Sequence, residues 1–194
     1  MLWVWAFVAY ILGSVPFGLI VARLHGVDLR GQGSGNIGAT NALRVMGRKA
    51  GALTLLGDLL KGSLAVWLAL YFSGREAGII AAAAAVLGHD FSVFAGFKGG
   101  KGVATSFGVL LALEPVLAAI GFGAWILTVL AFRYSSLGAL VSFGLLPLWC
   151  LILKGGDRTL MALAFFLTAL IFFKHRGNIG RLVRGEESRV GKPS

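Results

Sequence analysis

The sequence predicts an all-α protein: a polytopic transmembrane helix bundle of about seven spans, N-terminus outside and C-terminus cytoplasmic. Three observations carry that reading. First, 57% of the 194 residues are hydrophobic and only 13% charged, with a mean hydropathy of +0.85, a composition outside that of ordinary water-soluble domains. Second, apolar runs recur at residues 2–22, 50–72, 77–97, 103–113, 116–132, 135–153 and 159–173, and a hydrocarbon core about 30 Å thick needs roughly 20 helical residues to cross it. Third, the basic residues between these runs fall mostly on one side.

The first run, MLWVWAFVAYILGSVPFG and onward, lacks a basic leader and a small-residue cleavage site, so it reads as a retained span with a kink at Pro16. The second run carries Asp58 and Lys61 at mid-span. Three residues apart on one helix face, they form either a structural ion pair or a support for an active site. A short loop at residues 73–76 separates the second run from the third, which contains the close-packing stretch Ala81–Ala85. The fourth run, 103–113, is short, and its helix is expected to begin inside the preceding GGKG. Glu114-Pro115 then turns the chain into the fifth run. His25 and Glu114, at span ends, read as interfacial.

With the N-terminus outside, residues 23–49, 98–102, 133–134 and the tail from 174 face the cytoplasm with fourteen Lys and Arg. The opposite side holds Arg75, Lys154 and Arg158, and such a bias in short loops sets orientation. The net charge of +10 therefore points to anionic lipid head groups or phosphorylated substrates rather than nucleic acid. Cys150 is the one cysteine, which excludes an intrachain disulfide framework or a cysteine-based metal site. No internal repeat or separate soluble domain is evident, so residues 1–194 read as a single integral membrane domain.

Three polar segments carry chemistry. GQGSGNIGATNALRVMGRK, residues 31–49, combines glycines that permit close backbone approach with the hydrogen-bonding groups of Ser34, Asn36, Thr40 and Asn41 and the charge of Arg44. Gly33, Gly35 and Gly38 fit GxGxxG, but no βαβ unit surrounds them, so a dinucleotide fingerprint is rejected. HDFSVFAGFKGGKGVATSFG, residues 89–108, runs a glycine-rich loop into a helix. That arrangement aims backbone N–H groups and a positive dipole end at an anion, beside Lys101. The spacing is not that of a Walker motif. KHRGNIGRLVRGEESR, residues 174–189, either continues the last helix or breaks at Gly177. It offers His175 for proton transfer, Asn178 for orientation, and Arg176 and Arg181 for oxyanions.

In SGNIGATN (34–41), GGKGVATS (99–106) and HRGNIGRL (175–182) the sequence resembles the bacterial acyl-phosphate-dependent glycerol-3-phosphate acyltransferase family, in order and spacing. GSVPFG, DLLKG around Asp58 and RYSSLG at 133–138 extend the likeness over essentially the whole chain. The resemblance implies acyl transfer from a long-chain acyl phosphate to the sn-1 hydroxyl of glycerol 3-phosphate in the bacterial cytoplasmic (inner) membrane, with the active site facing the cytoplasm. Lysophosphatidic acid and phosphate are the implied products. It implies no metal, no organic cofactor and no obligate protein partner beyond membrane lipid. The catalytic set it implies is Ser34, Arg44, Lys101, His175 and Asn178. Around them it implies substrate contacts by Gly35, Asn36, Thr40 and Asn41 in the first segment and by Lys98, Gly99, Gly100, Gly102, Thr105 and Ser106 in the second. Ser136, Ser142 and Arg176 complete that set. Lys101 with its glycines is expected to bind glycerol phosphate, and Ser34 with Arg44 the acyl phosphate, though the two pockets are interchangeable on this reading. The base is either His175 or a phosphate oxygen of the substrate.

Other activities fit less well. A CoA-dependent acyltransferase pairs a histidine with an aspartate five positions on, whereas His25, His89 and His175 are followed there by Arg30, Phe94 and Gly180. A CDP-alcohol phosphotransferase needs several helical aspartates on divalent metal. A transporter or channel for a phosphorylated anion would place broken helices in both halves at the midplane; here the polar segments collect on one face.

Overall fold

The structure is a computed structural model describing residues 2–191, so Lys192, one of the tail cations counted above, lies outside the described residues. Regular structure among the described residues is all helical. The chain divides into two compact units on either side of the Leu113–Glu114 junction.

In the first unit, α1 (Leu2–Ser14) ends where Pro16 removes a backbone donor and restrains the residue before it, and α2 (Phe17–Leu24) restarts beyond the break. After a loop comes α3 (Ala39–Met46), ended by Gly47 at φ +86°, a left-handed value that suits glycine. α4 (Arg48–Asp90) then runs without the expected loop at 73–76. Its one non-helical residue is Gly74, at φ +79° and ψ −172°. Lys61 and His89 would stand about 42 Å apart in a straight helix, yet their Nζ and Nδ1 atoms are 2.9 Å apart. Thus α4 is a hairpin of two helical arms folded at Gly74, and one glycine does the work of the loop. A 3₁₀ turn at Val93–Ala95 leads to α5 (Val103–Leu113). This helix starts just after GGKG rather than inside it, because Gly102 sits at φ +74°, outside helical space.

Small residues let these helices approach closely. A Cβ at Gly13 would run into the Ala85 backbone, one at Gly88 into the Tyr10 carbonyl, and one at Gly108 into the Leu59 carbonyl. Such close packing replaces a hydrophobic drive that lipid cannot supply.

The second unit holds α6 (Pro115–Phe132), α7 (Ser135–Lys154), α8 (Arg158–Lys174) and α9 (Arg176–Val183). Pro115 opens α6 as the sequence suggests, since the first helical position needs no N–H. Asp157 caps α8 by accepting from Leu160 N at 3.0 Å. Glu114 is buried and bound to Lys154 at 2.6 Å. The last two helices meet at 61°. That bend falls at His175, two residues before the expected break at Gly177, because the His175 ring bonds back to Ile171 O at 2.8 Å and closes α8.

Four stretches are long and apolar enough to cross a bilayer, Leu2–Leu24, Arg48–Ala95, Pro115–Phe132 and Ser135–Lys154, and the bent pair α8–α9 makes a fifth. Large apolar side chains such as Trp3, Phe7, Trp67, Leu127, Leu130 and Ile152 face outward, as expected where the solvent is lipid.

The glycine packing is testable by thermal unfolding in detergent. Gly88→Ala should cost about 1–3 kcal/mol through overpacking. Gly123→Ala, which meets nothing within 4 Å, should stay within about 0.5 kcal/mol of the parent.

Candidate active site

In the first unit, Asn41 organises the first polar segment. Its Nδ2 donates to Leu29 O (3.2 Å), Gln32 O (3.1 Å) and Asn36 O (2.9 Å), and its Oδ1 accepts from Ser34 N (2.9 Å). Asn36 Oδ1 accepts from Gly38 N at 2.9 Å, and Gly35 turns the chain at φ +69°. Ser34 and Thr40 are thereby left exposed and Arg44 half-buried near the end of α3. Buried Asn41 was expected to touch substrate; its amide is instead committed to the loop that carries Ser34.

The second polar segment is fastened at both ends. Arg30 Nη2 donates to Ala95 O at 2.8 Å and to Lys98 O at 3.1 Å, so it ties the first segment to the second. Sequence reasoning counted Arg30 only as a cytoplasmic charge, and no local pattern announces its carbonyl partners. Phe97, between those carbonyls, holds φ +61°, a left-handed backbone costing about 1–3 kcal/mol in a bulky residue and typical of functional loops. On the other side, Gly99 N donates to Asp90 O (3.3 Å) and Gly100 N to His89 O (3.1 Å).

That pairing corrects the expected phosphate cradle. The amides of Gly99 and Gly100 bind the end of α4, so the donors that can face an anion are those of the half-buried Val103 and Ala104. They precede the first intrahelical bond of α5, from Ser106 N to Gly102 O at 2.7 Å. Lys98 is exposed and Lys101 half-buried beside this helix end. The hydroxyls of Thr105 and Ser106 were expected to contact substrate, but both side chains are fully buried. With no accessible surface, they line helix packing instead.

Behind the loop lies a charged cluster at membrane depth. Lys61 Nζ forms an ion pair with Asp58 Oδ1 at 2.8 Å and donates to Val15 O (2.7 Å) and His89 Nδ1 (2.9 Å). Lys61 also lines an apolar groove of about 570 Å³ with Leu12, Val15, Phe17, Leu64 and Trp67 among its walls, within the size range of ligand clefts.

In the second unit, His175 and Asn178 are buried. The Nδ1 of His175 faces Ile171 O, so its ring proton sits there and Nε2 is the basic nitrogen. His25 makes the same bond to Val21 O at 2.8 Å, which marks the arrangement as ordinary for a histidine ending a helix. Asn178 Nδ2 donates to Glu187 Oε1 at 2.5 Å; Ser136 Oγ donates to the same oxygen and Arg181 Nε to Oε2, both at 2.7 Å. Sequence reasoning passed over Glu187, although a Glu-Glu pair in a basic tail was a signal for it. Two other expectations change. Ser142 donates to Gly121 O at 2.7 Å and joins α6 to α7. Arg176 lies over the Phe173 ring, 4.7 Å from its centre, and caps Phe173 O at 3.1 Å instead of standing ready for an oxyanion. Among the described residues no group of three His, Cys, Asp or Glu gathers as a metal site.

These features define a multi-pass membrane protein that is all helical among the described residues. A family model described as glycerol-3-phosphate acyltransferase matches residues 3–185. The chain is 49% identical over 187 residues to the glycerol-3-phosphate acyltransferase of Rhizobium etli, covering 96% of this chain and 90% of that one. It is 50% identical over 183 residues to the Brucella suis protein of the same name, covering 94% and 90%. A crystal structure of PlsY (YgiH), an integral membrane glycerol 3-phosphate acyltransferase in its glycerol 3-phosphate form, superposes with a TM-score of 0.93 at 41% identity, over 98% of this chain and 96% of that one. Its lysophosphatidic acid form gives 0.90 at 40% identity, over 97% and 94%. The chain belongs to the glycerol-3-phosphate acyltransferase family of PlsY.

Glu187 gives a pH test. Burial raises its tendency to hold a proton, but the hydrogen bonds from Ser136, Asn178 and Arg181 and the charge of Arg181 outweigh it, so its carboxyl lies below the usual glutamate range. A carboxylate depressed on folding stabilises the fold above the ordinary value and loses that contribution as pH falls through the depressed one. The unfolding midpoint of Glu187→Gln should therefore trail the parent by a constant gap from neutral pH to about pH 5, closing only below about pH 4.

Proposed function

We propose that this protein transfers a fatty acyl group from acyl phosphate to the sn-1 hydroxyl of glycerol 3-phosphate, releasing lysophosphatidic acid and inorganic phosphate. The observation that carries this reading is the coupling, within the first unit, of an anion-directed helix end to a lipid-sized apolar groove. Lys61 lines the groove and binds His89, whose carbonyl holds the loop leading to Lys101. A donor with a phosphate head and an acyl tail asks for that combination.

In the proposed reaction the glycerol hydroxyl attacks the acyl carbonyl, the bond from carbonyl carbon to phosphate oxygen breaks, and phosphate leaves with the electron pair. The hydroxyl proton passes to His175 Nε2 or to a phosphate oxygen. An acyl phosphate has a good leaving group, so catalysis rests on alignment and on charge stabilisation, without a covalent acyl-enzyme. Lys101 and the first amides of α5 are assigned to phosphate, Ser34 and Arg44 to the partner phosphate, and Asn178 with His175 to the hydroxyl. Asn41 and Arg30 hold the loops in place.

We place the protein in the bacterial cytoplasmic membrane as one acyltransferase domain crossing seven times, counting both arms of α4 and the short α5. The N-terminus is then outside and the polar loops cytoplasmic, as the basic residues favour. Alkaline phosphatase fused to the C-terminus should be inactive and green fluorescent protein fused there bright; the reverse would overturn this orientation.

Purified protein given acyl phosphate and labelled glycerol 3-phosphate should form lysophosphatidate without CoA and should not use acyl-CoA. Absence of product from folded protein defeats the assignment. Lys101→Met should lower kcat/KM by about 100-fold. Near-normal turnover in His175→Gln would exclude an essential histidine base, whereas lost turnover with intact substrate binding would favour one.

A further inference from the structure

Asp58, Lys61 and His89 are buried at a depth where ionisable groups are costly and demand a reason. The proposed chemistry uses none of them. The ammonium of Lys61 has donors only, so His89 Nδ1 accepts from it and the ring proton sits on Nε2. Asp58 Oδ1 lies 2.8 Å from Lys61 Nζ and 3.5 Å from His89 Nδ1. The cluster therefore fixes both the rotation and the tautomer of the imidazole.

The far edge of that ring is where the loop rests. A Cβ at Gly100 would collide with His89 Nε2 and its neighbouring ring carbons, and a Cβ at Gly99 would collide with the His89 carbonyl. At Gly102 a Cβ would press on Val86 Cγ1 and Asp90 Oδ1, at 3.0 and 3.1 Å. The loop is thus moulded against the end of α4 residue by residue, with glycine wherever the ring or backbone leaves no room. Lys61 also grips Val15 O, the carbonyl beside the Pro16 break, so the same side chain ties α1 to this platform.

We infer that Asp58, Lys61 and His89 form a positioning device that sets the path of the loop at residues 99–102, and through it the aim of the first α5 amides and of Lys101. This rests on the reading of that loop as a phosphate site. The three residues are positioning residues and touch no reacting atom.

The test compares full-length protein in detergent with Asp58→Asn/Lys61→Met, which removes both charges of the ion pair together, and with Gly100→Ala, His89→Ala and their combination. Calorimetric binding of inorganic phosphate is measured beside the kinetics. The charge-neutral pair and Gly100→Ala should each raise the phosphate Kd and the KM for acyl phosphate by about ten- to a hundredfold, with kcat at saturation changed less than about threefold. The Gly100→Ala/His89→Ala double should be less impaired than the two singles combined, since removing the ring makes room for the methyl group. That cycle decides the matter alone if the charge-neutral pair does not fold. Unchanged Kd and KM, a loss confined to kcat, or additive Gly100 and His89 effects would each overturn the inference. Parent protein that binds phosphate but transfers no acyl group would sink the proposed reaction and leave the positioning inference to the Kd values. Parent protein that binds no phosphate would overturn the inference itself.

Discussion

The break in α1 at Pro16 sets the central demand of the first unit. In lipid each backbone polar group must find its partner inside the protein, and proline removes the donor that would have continued the helix. Lys61 answers Val15 O, Ser92 Oγ answers Ser14 O, Ser14 Oγ reaches Gly88 O, and Tyr10 donates to Phe91 O. A charged lysine at that depth then requires its own counter-ion, which Asp58 supplies from the adjacent turn. Folding α4 at Gly74 brings His89 into the same cluster. The Val15 carbonyl, which also accepts from Phe17 N at 3.2 Å, thus connects α1 through Lys61 to both arms of α4 and the loop ahead of α5.

Close approach follows from the same solvent. Because lipid tails are as apolar as leucine, helices gain little by hiding large side chains from them, and association favours contacts that bring backbones together. The 29 glycines accordingly serve two purposes that their abundance alone cannot distinguish. At Gly13, Gly88 and Gly108 they admit a neighbouring backbone within a helix interface, whereas Gly99 and Gly100 admit a carbonyl and an imidazole against a loop.

What the sequence made readable was whatever follows from local rules. Hydropathy located the apolar helices, proline marked the break at Pro16 and the start of α6, and spacing put Asp58 and Lys61 on one face. Tertiary satisfaction was not readable. Nothing local relates His89 to Lys61, because the relation exists only once Gly74 folds the chain. Nothing local tells that Arg30 seeks the carbonyls of Ala95 and Lys98. Polar residue type also misled where burial decided the outcome. Thr105, Ser106, Asn41 and Ser142 resemble ligand contacts in the sequence, but their side chains lie inside the protein, and the bonds of Asn41 and Ser142 go to backbone.

The two units differ in how their donors are satisfied, and that difference bears on the chemistry. In the second unit Asn178, Ser136 and Arg181 already converge on a carboxylate belonging to the chain. Adding a doubly charged phosphate there would set two anions against each other, at a cost that grows as water is excluded. Glu187 suits those groups to orient a neutral partner such as a hydroxyl. In the first unit the opening amides of α5 come before the first intrahelical bond, and the nearby carbonyls of Ala95, Lys98, His89 and Asp90 are turned to Arg30 or to loop amides. A ligand anion brought to that helix end meets donors and a positive dipole end, but also the buried Asp90 carboxylate, whose oxygens lie 3.1 and 3.4 Å from where a Cβ at Gly102 would stand. On the proposed reading the first unit holds phosphate, because Lys98 and Lys101 add positive charge beside the helix end and offset that carboxylate, while the second unit, whose donors already meet Glu187, is suited to a neutral hydroxyl.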